Sequence, residues 1–540
     1  MQQSLKSQIP STDEDRIPST SASSSSSLSS NASHVATNRQ VKQPLGLQST
    51  SNTTITQHKK GLSHSVSHQP VYEVTFAGLD EPADPEDISR HLTMVRKYYI
   101  AMLITITSMV ITMISSCWTF VSPHIMSHFH ISHEVSVLGI TFYVFGLAIG
   151  PLFLSPISEL YGRRITFIFS LTLSIIWQCL TTWSKSVVGV MFGRFLSGFC
   201  GSSFLSVAGG TISDIFDKHT ITVPMSIYTT AAMLGPSLGP IVSGALYHAD
   251  YKWSFITFLI ASGVCLVIII GTIPETYVPA LLVKKAKRMR LETGDDNYYA
   301  PLEVTKRNTS IFAAMVLSCK RPFSLLLFDP MVGVLCFYTG LELAIVYLFF
   351  VAFPYIFPKL YHFNVMKSAL AYLGLTVGMV LATPTSIFFQ NRYEQRVKRN
   401  NGVSIPEMRF EPLFYGAFMS PIGLMIFAWT CYSHVHWIGP IIGSGIFGAG
   451  VLYVFIGIFN YTVDAYKKYA ASGLACNTFV RCMMGGIFPL FGLQMYEGMG
   501  INWGSFMLAM ITMLMIPVPF LFTKYGAYLR SKSPYAWDDD

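Results

Sequence analysis

Charge is scarce in this 540-residue chain: Asp, Glu, Lys and Arg make up 12% of it, about half the share found in an ordinary soluble domain. The scarcity is concentrated. Residues 98–133, 135–158, 165–184, 219–249, 253–274, 368–391, 413–463 and 498–523 carry no charged side chain at all. A helix in water needs a polar face, and such runs offer none. An uncharged apolar stretch of about 20 residues instead matches the ~30 Å hydrocarbon core of a bilayer. Secreted, fibrous and nucleic-acid-binding readings are thereby excluded. The chain reads as an all-α polytopic membrane protein.

Other absences narrow the chemistry. The nine cysteines, at 117, 179, 200, 265, 319, 336, 431, 476 and 482, stand singly, without CxxC or metal-ligand spacing. They read as small apolar packing residues. A pump driven by ATP in cis needs G-x-x-x-x-G-K-[ST], and neither that loop, a nucleophile elbow nor a zinc signature occurs. No enzyme activity, cofactor or metal is expected, and any transport must run on a gradient. Residues 1–78 are rich in Ser, Thr, Gln and Asn, include the run Ser23 to Ser27, and lack apolar periodicity. This composition predicts a disordered tail. It has no apolar h-region, so it is not a signal peptide.

Twelve spans are expected, near 98–121, 135–157, 165–183, 188–210, 222–246, 253–273, 327–351, 367–389, 412–431, 437–460, 470–493 and 501–523. The fourth, seventh and eleventh contain charges and give the weakest hydropathic signal. A polar, partly helical stretch at 275–325 divides the chain into six spans (79–274) and six more (326–525), with a short tail at 526–540. Placing the N-terminus inside puts twenty-five Lys and Arg on inner segments, against Lys185, Lys252, Lys359 and Lys367 outside. Basic residues favour the cytoplasmic side, so both termini are expected there. The net charge of +8 is therefore topological, with attraction to the inner leaflet as a secondary consequence.

Six groups of residues stand out. Glu159, Gly162, Arg163 and Arg164 end the second span; a carboxylate beside paired arginines can latch neighbouring helix ends, or the group is an ordinary basic turn. Arg194 lies inside the fourth span, where a charge costs ~2.5 kcal/mol or more. Since Arg does not release its proton, it stabilises a carboxylate, binds an anion, or anchors on backbone carbonyls. Gly235, Pro236, Gly239 and Pro240, followed by Gly244, predict a kinked, closely packed fifth span. Glu342 and Arg481 are stranded in the seventh and eleventh spans, with Asp329 at the entrance of the seventh. Glu342 is the candidate for proton or cation coupling, the alternative being a structural Glu342–Arg481 pair. Tyr143, Tyr338, Tyr347, Phe349 and Phe350 either stack on flat or cationic drugs or are plain bilayer-facing aromatics. His124, His128, His130 and His133 suggest metal binding, pH sensing or simply a solvated outer loop.

These motifs resemble the major facilitator superfamily, specifically the fungal twelve-span drug:proton antiporter branch that includes polyamine exporters. The family loop is roughly G-x-x-x-D-R-x-G-R-R. Here Ser155, Glu159 and Leu160 replace its first Gly, Asp and first Arg, whereas Gly162, Arg163 and Arg164 match. Arg194 to Gly198 is similar to the span-four R-x-x-x-G pattern, whose Arg is implicated in proton transfer. The Gly235–Pro240 stretch resembles the antiporter motif. Pro274-Glu275-Thr276-Tyr277, His436-Trp437, Asn460-Tyr461 with Asp464 and Tyr466, and Asn477 to Arg481 are also close to that branch, so the likeness covers about residues 79–535. Before the first span, Asp84-Pro85-Glu86-Asp87-Ile88 departs from the usual D-P-x-N-W.

The resemblance implies two six-helix bundles with inverted repeats, a midplane cavity and alternating access. It further implies proton-coupled export of drugs, polyamines or related cationic and amphipathic compounds. The expected partners are a small-molecule substrate, the proton and the bilayer, in a monomer at a fungal plasma membrane, with the vacuolar membrane as the second possibility. Uptake on the same fold and a non-transporting membrane sensor remain as alternatives.

Overall fold

A computed structural model of the protein describes residues 72–76, 92–216, 220–308, 311–466, 469–533 and 535–536. The tail expected over 1–78 therefore lies outside the described residues except for 72–76. Twelve long helices organise the described chain. They are α1 (Met94–Phe129), α2 (His133–Tyr161), α3 (Arg163–Trp183), α4 (Val187–Ile215), α5 (Thr222–Ala245) and α6 (Lys252–Thr272), then α7 (Pro330–Tyr361), α8 (Val365–Arg399), α9 (Pro406–Thr430), α10 (Ile438–Ala465), α11 (Ala470–Met499) and α12 (Ile501–Lys532).

Eleven of the twelve are long and apolar enough to cross a membrane, and α5 is the exception. The fourth and eleventh helices, which carry Arg194 and Arg481, are the least apolar of the eleven, as expected, whereas the seventh is strongly apolar despite Glu342. In α5 the Thr, Ser, Gly and Pro residues dilute the whole helix. Another difference lies at the C-terminal end, where α12 runs on to Lys532 into the short tail expected from 526. The connector between α6 and α7 is helical over Val278–Thr293, Pro301–Asn308 and Ile311–Phe328.

Local chemistry sets the helix starts. Ser132 Oγ accepts from Val135 N at 3.5 Å, Asn364 Oδ1 from Lys367 N at 2.9 Å, and Asp329 Oδ1 from Met331 N at 3.0 Å and Val332 N at 3.4 Å. These side chains satisfy N–H groups that have no partner within a helix's first turn. The fold then places α7 centrally: 89% of its most apolar window is buried, against 28% for α6 and 33% for α12. Alternation of helix ends puts the α2–α3, α4–α5, α8–α9 and α10–α11 junctions together at one end of the bundle, hereafter the basic end.

The α1–α5 contact shows why α5 spends its hydropathy on small residues. A Cβ on Gly235 would overlap Thr112 Oγ1 and stand 2.7 Å from Met109 O, and one on Gly239 would overlap Ser116 Oγ. Backbones approach this closely only where side chains are absent. The remaining face of α5 meets the second half of the chain, where Thr376 Oγ1 donates to Ser237 Oγ at 2.9 Å and Gly244 packs on Ala369. Ser115 Oγ and Tyr347 Oη at 2.9 Å, and Thr141 Oγ1 to Gly486 O at 2.8 Å, join α1 to α7 and α2 to α11. All these cross-half contacts lie from the middle of the bundle toward the end opposite the basic loops.

At the basic end, β1 (Tyr72–Glu73) pairs in parallel with β2 (Tyr298–Tyr299). Val74 is buried against Ala286 and Ala300, and Lys285 Nζ donates to Thr75 O at 2.6 Å. Residues 72–76, expected to be part of a disordered tail, are instead held here by burial of Val74 and by Tyr72 stacking on Tyr298.

Replacing Gly235 with Leu is expected to destabilise the protein by about 1–3 kcal/mol through overpacking against α1. Gly271 has open space within 4 Å of a built Cβ, so Gly271→Leu is expected to leave the melting temperature of the solubilised protein unchanged. Equal melting temperatures for the two variants would refute the close α1–α5 contact.

Candidate functional site

The α2–α3 loop is built around one carboxylate, and it is not the one expected. Gly162 adopts φ +100°, a backbone conformation that favours glycine, and a Cβ there would run into the Glu275 carboxylate. Glu275 Oε1 accepts from Arg163 N at 2.8 Å and Oε2 from Arg164 N at 3.1 Å, capping α3; Oε1 also accepts from Thr276 N and Tyr277 N at 3.0 Å. Thus the residue that follows α6 holds the start of α3. The Arg163 side chain reaches α4, donating through Nε to Asp214 Oδ2 at 3.1 Å and through Nη1 to Ser158 Oγ at 2.8 Å. Its guanidinium lies 4.7 Å from the Tyr277 ring centroid, and burial pushes the Tyr277 phenol up, with the nearby Glu159 carboxylate adding to the effect. Arg164 Nη2 caps Ile270 O at 2.9 Å. Glu159 itself is exposed; the carboxylates that engage the paired arginines are Glu275 and Asp214.

Arg194 is fully buried. Its fork donates from Nε to Gly139 O at 2.9 Å, from Nη1 to Ile114 O at 2.8 Å and from Nη2 to Ser115 O at 3.0 Å. Ile114 and Ser115 belong to the last turn before α1 breaks at Cys117, where carbonyls lack their usual i+4 donors. The guanidinium also sits 4.5 Å from the Tyr143 centroid and 5.2 Å from that of Trp118. Among the described residues no carboxylate pairs with it. Of the readings open from sequence, the carbonyl anchor joining α1, α2 and α4 is the geometry observed.

Glu342 and Arg481 are not joined to each other. Glu342 is fully buried in the middle of α7, where the Ser420 hydroxyl of α9 approaches its carboxylate without forming a hydrogen bond of regular geometry. The Tyr338 hydroxyl, one turn away, is buried without a partner among the described residues. Arg481 is 5% exposed and lies 5.4 Å and 5.3 Å from the Phe455 and Phe459 centroids of α10, with Nε and Nη1 unpartnered. Asp329 is satisfied instead: besides capping α7 it accepts from Tyr466 Oη at 2.6 Å. Tyr143, Tyr338, Tyr347, Phe349 and Phe350 are all buried inside the bundle rather than facing lipid. His124 Nε2 lies 3.1 Å from Tyr247 O, and no group able to hold a metal occurs among the described residues.

A second ionic cluster at the basic end belongs to the other half of the chain. Arg392 Nη1 and Arg396 Nη2 meet Glu411 at 2.8 Å each, and Arg409 Nε meets Asp464 Oδ2 at 2.7 Å. This reproduces the first half, where an Arg beside the start of α3 meets an Asp near the end of α4. Asp464 was visible in sequence within Asn460–Tyr466, but its partner lies 55 residues earlier, a separation that no local pattern reveals. The cluster borders a cavity of about 250 Å³ among the basic ends of α5, α8, α9, α10 and α11.

The model of the Major Facilitator Superfamily matches residues 103–489. The protein "Probable drug/proton antiporter YHK8" of Saccharomyces cerevisiae is 71% identical over 468 residues, covering 87% of this chain and 91% of its own. "Efflux pump atB" of Aspergillus terreus is 38% identical over 526 residues, covering 96% and 99%. Among solved structures, the fold is similar to that of the xylose transporter XylE from E. coli in a partially occluded inward open conformation, with a TM-score of 0.54, 13% identity, and 78% and 98% of the two chains covered.

The latch geometry sets a test. Glu275→Ala strands four backbone N–H groups and is expected to cost about 1–3 kcal/mol, seen as a lowered melting temperature and faster proteolysis at the α6 end. Glu159→Ala is expected to change neither measurement. The reverse ranking would return the latch to Glu159.

Proposed function

Because the chain belongs to the major facilitator superfamily, we propose that it is a proton-coupled antiporter whose two six-helix halves rock about the cross-half contacts to export drugs and related amphipathic or cationic compounds. The observation that carries this reading is Glu342. It is an acid in the most enclosed helix, with no counter-charge among the described residues and only the Ser420 hydroxyl beside its carboxylate. Sustaining a charge there costs ~2.5 kcal/mol or more. The site is therefore neutralised by a proton or by a cationic substrate, and one neutraliser excludes the other. Mutual exclusion at a single carboxyl is sufficient for obligatory exchange of substrate against proton.

The driving force is adequate. Each pH unit across the membrane supplies ~1.4 kcal/mol, and each charge moved through 100 mV adds ~2.3 kcal/mol. Relatives named as a drug/proton antiporter and an efflux pump support export over uptake. The basic end faces the cytoplasm on this reading, with both termini there, because its loops collect the Lys and Arg residues. The cavity at that end then opens to the compartment from which substrate is taken. Arg194 acts as a positioning residue, holding α1, α2 and α4 as one unit while the halves move. The plasma membrane and a monomeric state complete the proposal, supported by the multi-pass fold and the family's self-contained bundle.

Glu342→Gln keeps the shape and removes the exchangeable proton. In inside-out vesicles, the variant is expected to lose at least tenfold of pH-gradient-driven accumulation of rhodamine 6G, while substrate-for-substrate exchange persists. An unchanged dependence on the imposed gradient would remove Glu342 from coupling. Accumulation with the opposite gradient polarity would replace export by uptake.

A further inference from the structure

The mouth of the cavity at the basic end holds an arrangement that a latch does not require. Its walls carry Phe389 and Tyr393 from α8, Phe459 and Asp464 from α10, and Met225 from α5. Into this space projects Arg409, on the short turn Pro406–Phe410 that opens α9. Its guanidinium carbon is 3.4 Å from the Tyr393 ring centroid. Its Nε donates to Asp464 Oδ2 at 2.7 Å and its Nη1 to Gln390 Oε1 at 2.7 Å, while Tyr393 Oη donates to Asp464 Oδ2 at 3.2 Å. An aromatic face, a carboxylate and an amide oxygen converge on one planar cation. These are the groups that recognise an organic cation, and here the cation is supplied by the protein.

We propose that this mouth is a capture site for amphipathic organic monocations, and that Arg409 is a built-in occupant which the incoming cation displaces from Asp464 and Tyr393. The inference deepens the export reading above, from which it takes the cytoplasmic sidedness and the role of the captured cation as cargo.

Three comparisons within the molecule support the assignment. Arg163, the counterpart in the first half, has its backbone N–H fixed by Glu275 and a further side-chain bond to Ser158, and stands 4.7 Å from its aromatic ring. Arg409 lacks the carboxylate tie on its backbone, and its two side-chain bonds, to Asp464 and Gln390, both go to groups lining the cavity. Its pair with Asp464 is partly exposed, with side-chain accessibilities of 18% and 21%, so the ion pair can be reached from the cavity. Glu411, the other carboxylate at the rim, is occupied by both Arg392 and Arg396. Displacing Arg409 therefore frees one carboxylate and not two, which suits a single positive charge better than a polyamine. Phe389, Phe459 and Met225 receive the apolar body, Met being adaptable to varied shapes.

The test is equilibrium binding to the purified full-length protein in lipid nanodiscs, with labelled tetraphenylphosphonium as the cation and labelled fluconazole as the neutral probe. Arg409→Gln is expected to tighten tetraphenylphosphonium binding about threefold to tenfold, and Asp464→Asn and Tyr393→Leu to weaken it by a similar factor, the scale of one cation–π or exposed ion-pair contact. Fluconazole binding is expected to shift less than twofold in all three. Should a variant fail to fold, Gln390→Cys decides: maleimide labelling is expected to be slowed by tetraphenylphosphonium and not by spermidine at equal concentration. Unchanged cation binding in Arg409→Gln, parallel shifts for both probes, or protection by spermidine alone would each overturn the proposal. Absence of gradient-driven rhodamine 6G transport by the unmodified protein would sink the export reading, while the binding results would still decide the capture site.

Discussion

The structure depends on one constraint: inside the bundle, no water is at hand to satisfy a polar group, so each must find a partner in the protein or remain unpaired. Arg194 meets it in full. Its three bonds to Gly139, Ile114 and Ser115 carbonyls take up acceptors released by the break in α1, and the Tyr143 and Trp118 rings cover the guanidinium. The break and the arginine explain each other. Three helices of the first half are thereby tied into one body, which rigid-body rocking requires.

Glu342 and Arg481 violate the same constraint, and they do so in the second half, on helices that contact the first. An unmatched buried acid is expensive to keep in a purely structural role. Its persistence makes sense when a mobile partner visits it. The contrast with Asp329 is instructive. That acid is equally buried but satisfied by two backbone N–H groups and Tyr466, so it stabilises the start of α7 without any need for a ligand.

At the basic end the two halves use one device with different strictness. In each, an arginine near a helix start meets an aspartate near the end of the next helix. The first half adds Glu275, which fixes the backbone of the loop and leaves no room for a Cβ on Gly162. The second half has no equivalent on Arg409, and there the cavity opens. One loop is therefore held through its backbone and side chains, and the other through side chains alone.

Much was legible in sequence because it is carried by local, additive properties. Uncharged runs of bilayer length located the helices, and the bias of Lys and Arg set the expected sidedness. Gly235, Pro236, Gly239 and Pro240 announced a close approach, realised against α1. The carboxylate that engages Arg163 was not legible: Glu159 is adjacent in sequence, whereas Glu275 lies 112 residues from Arg163 and reaches it only because α6 packs beside α3. Nor did the stranded charges reveal their relationships. Arg194 had three open roles and took the carbonyl anchor, while Glu342 and Arg481 stayed apart. By itself the sequence determined that the chain lives in a membrane, where its long apolar helices lie and which charges are misplaced there, since transfer into lipid depends on composition over about 20 residues. Only the tertiary structure decided which of those charges are matched, because a match depends on distances of about 3 Å between helices that the sequence keeps far apart.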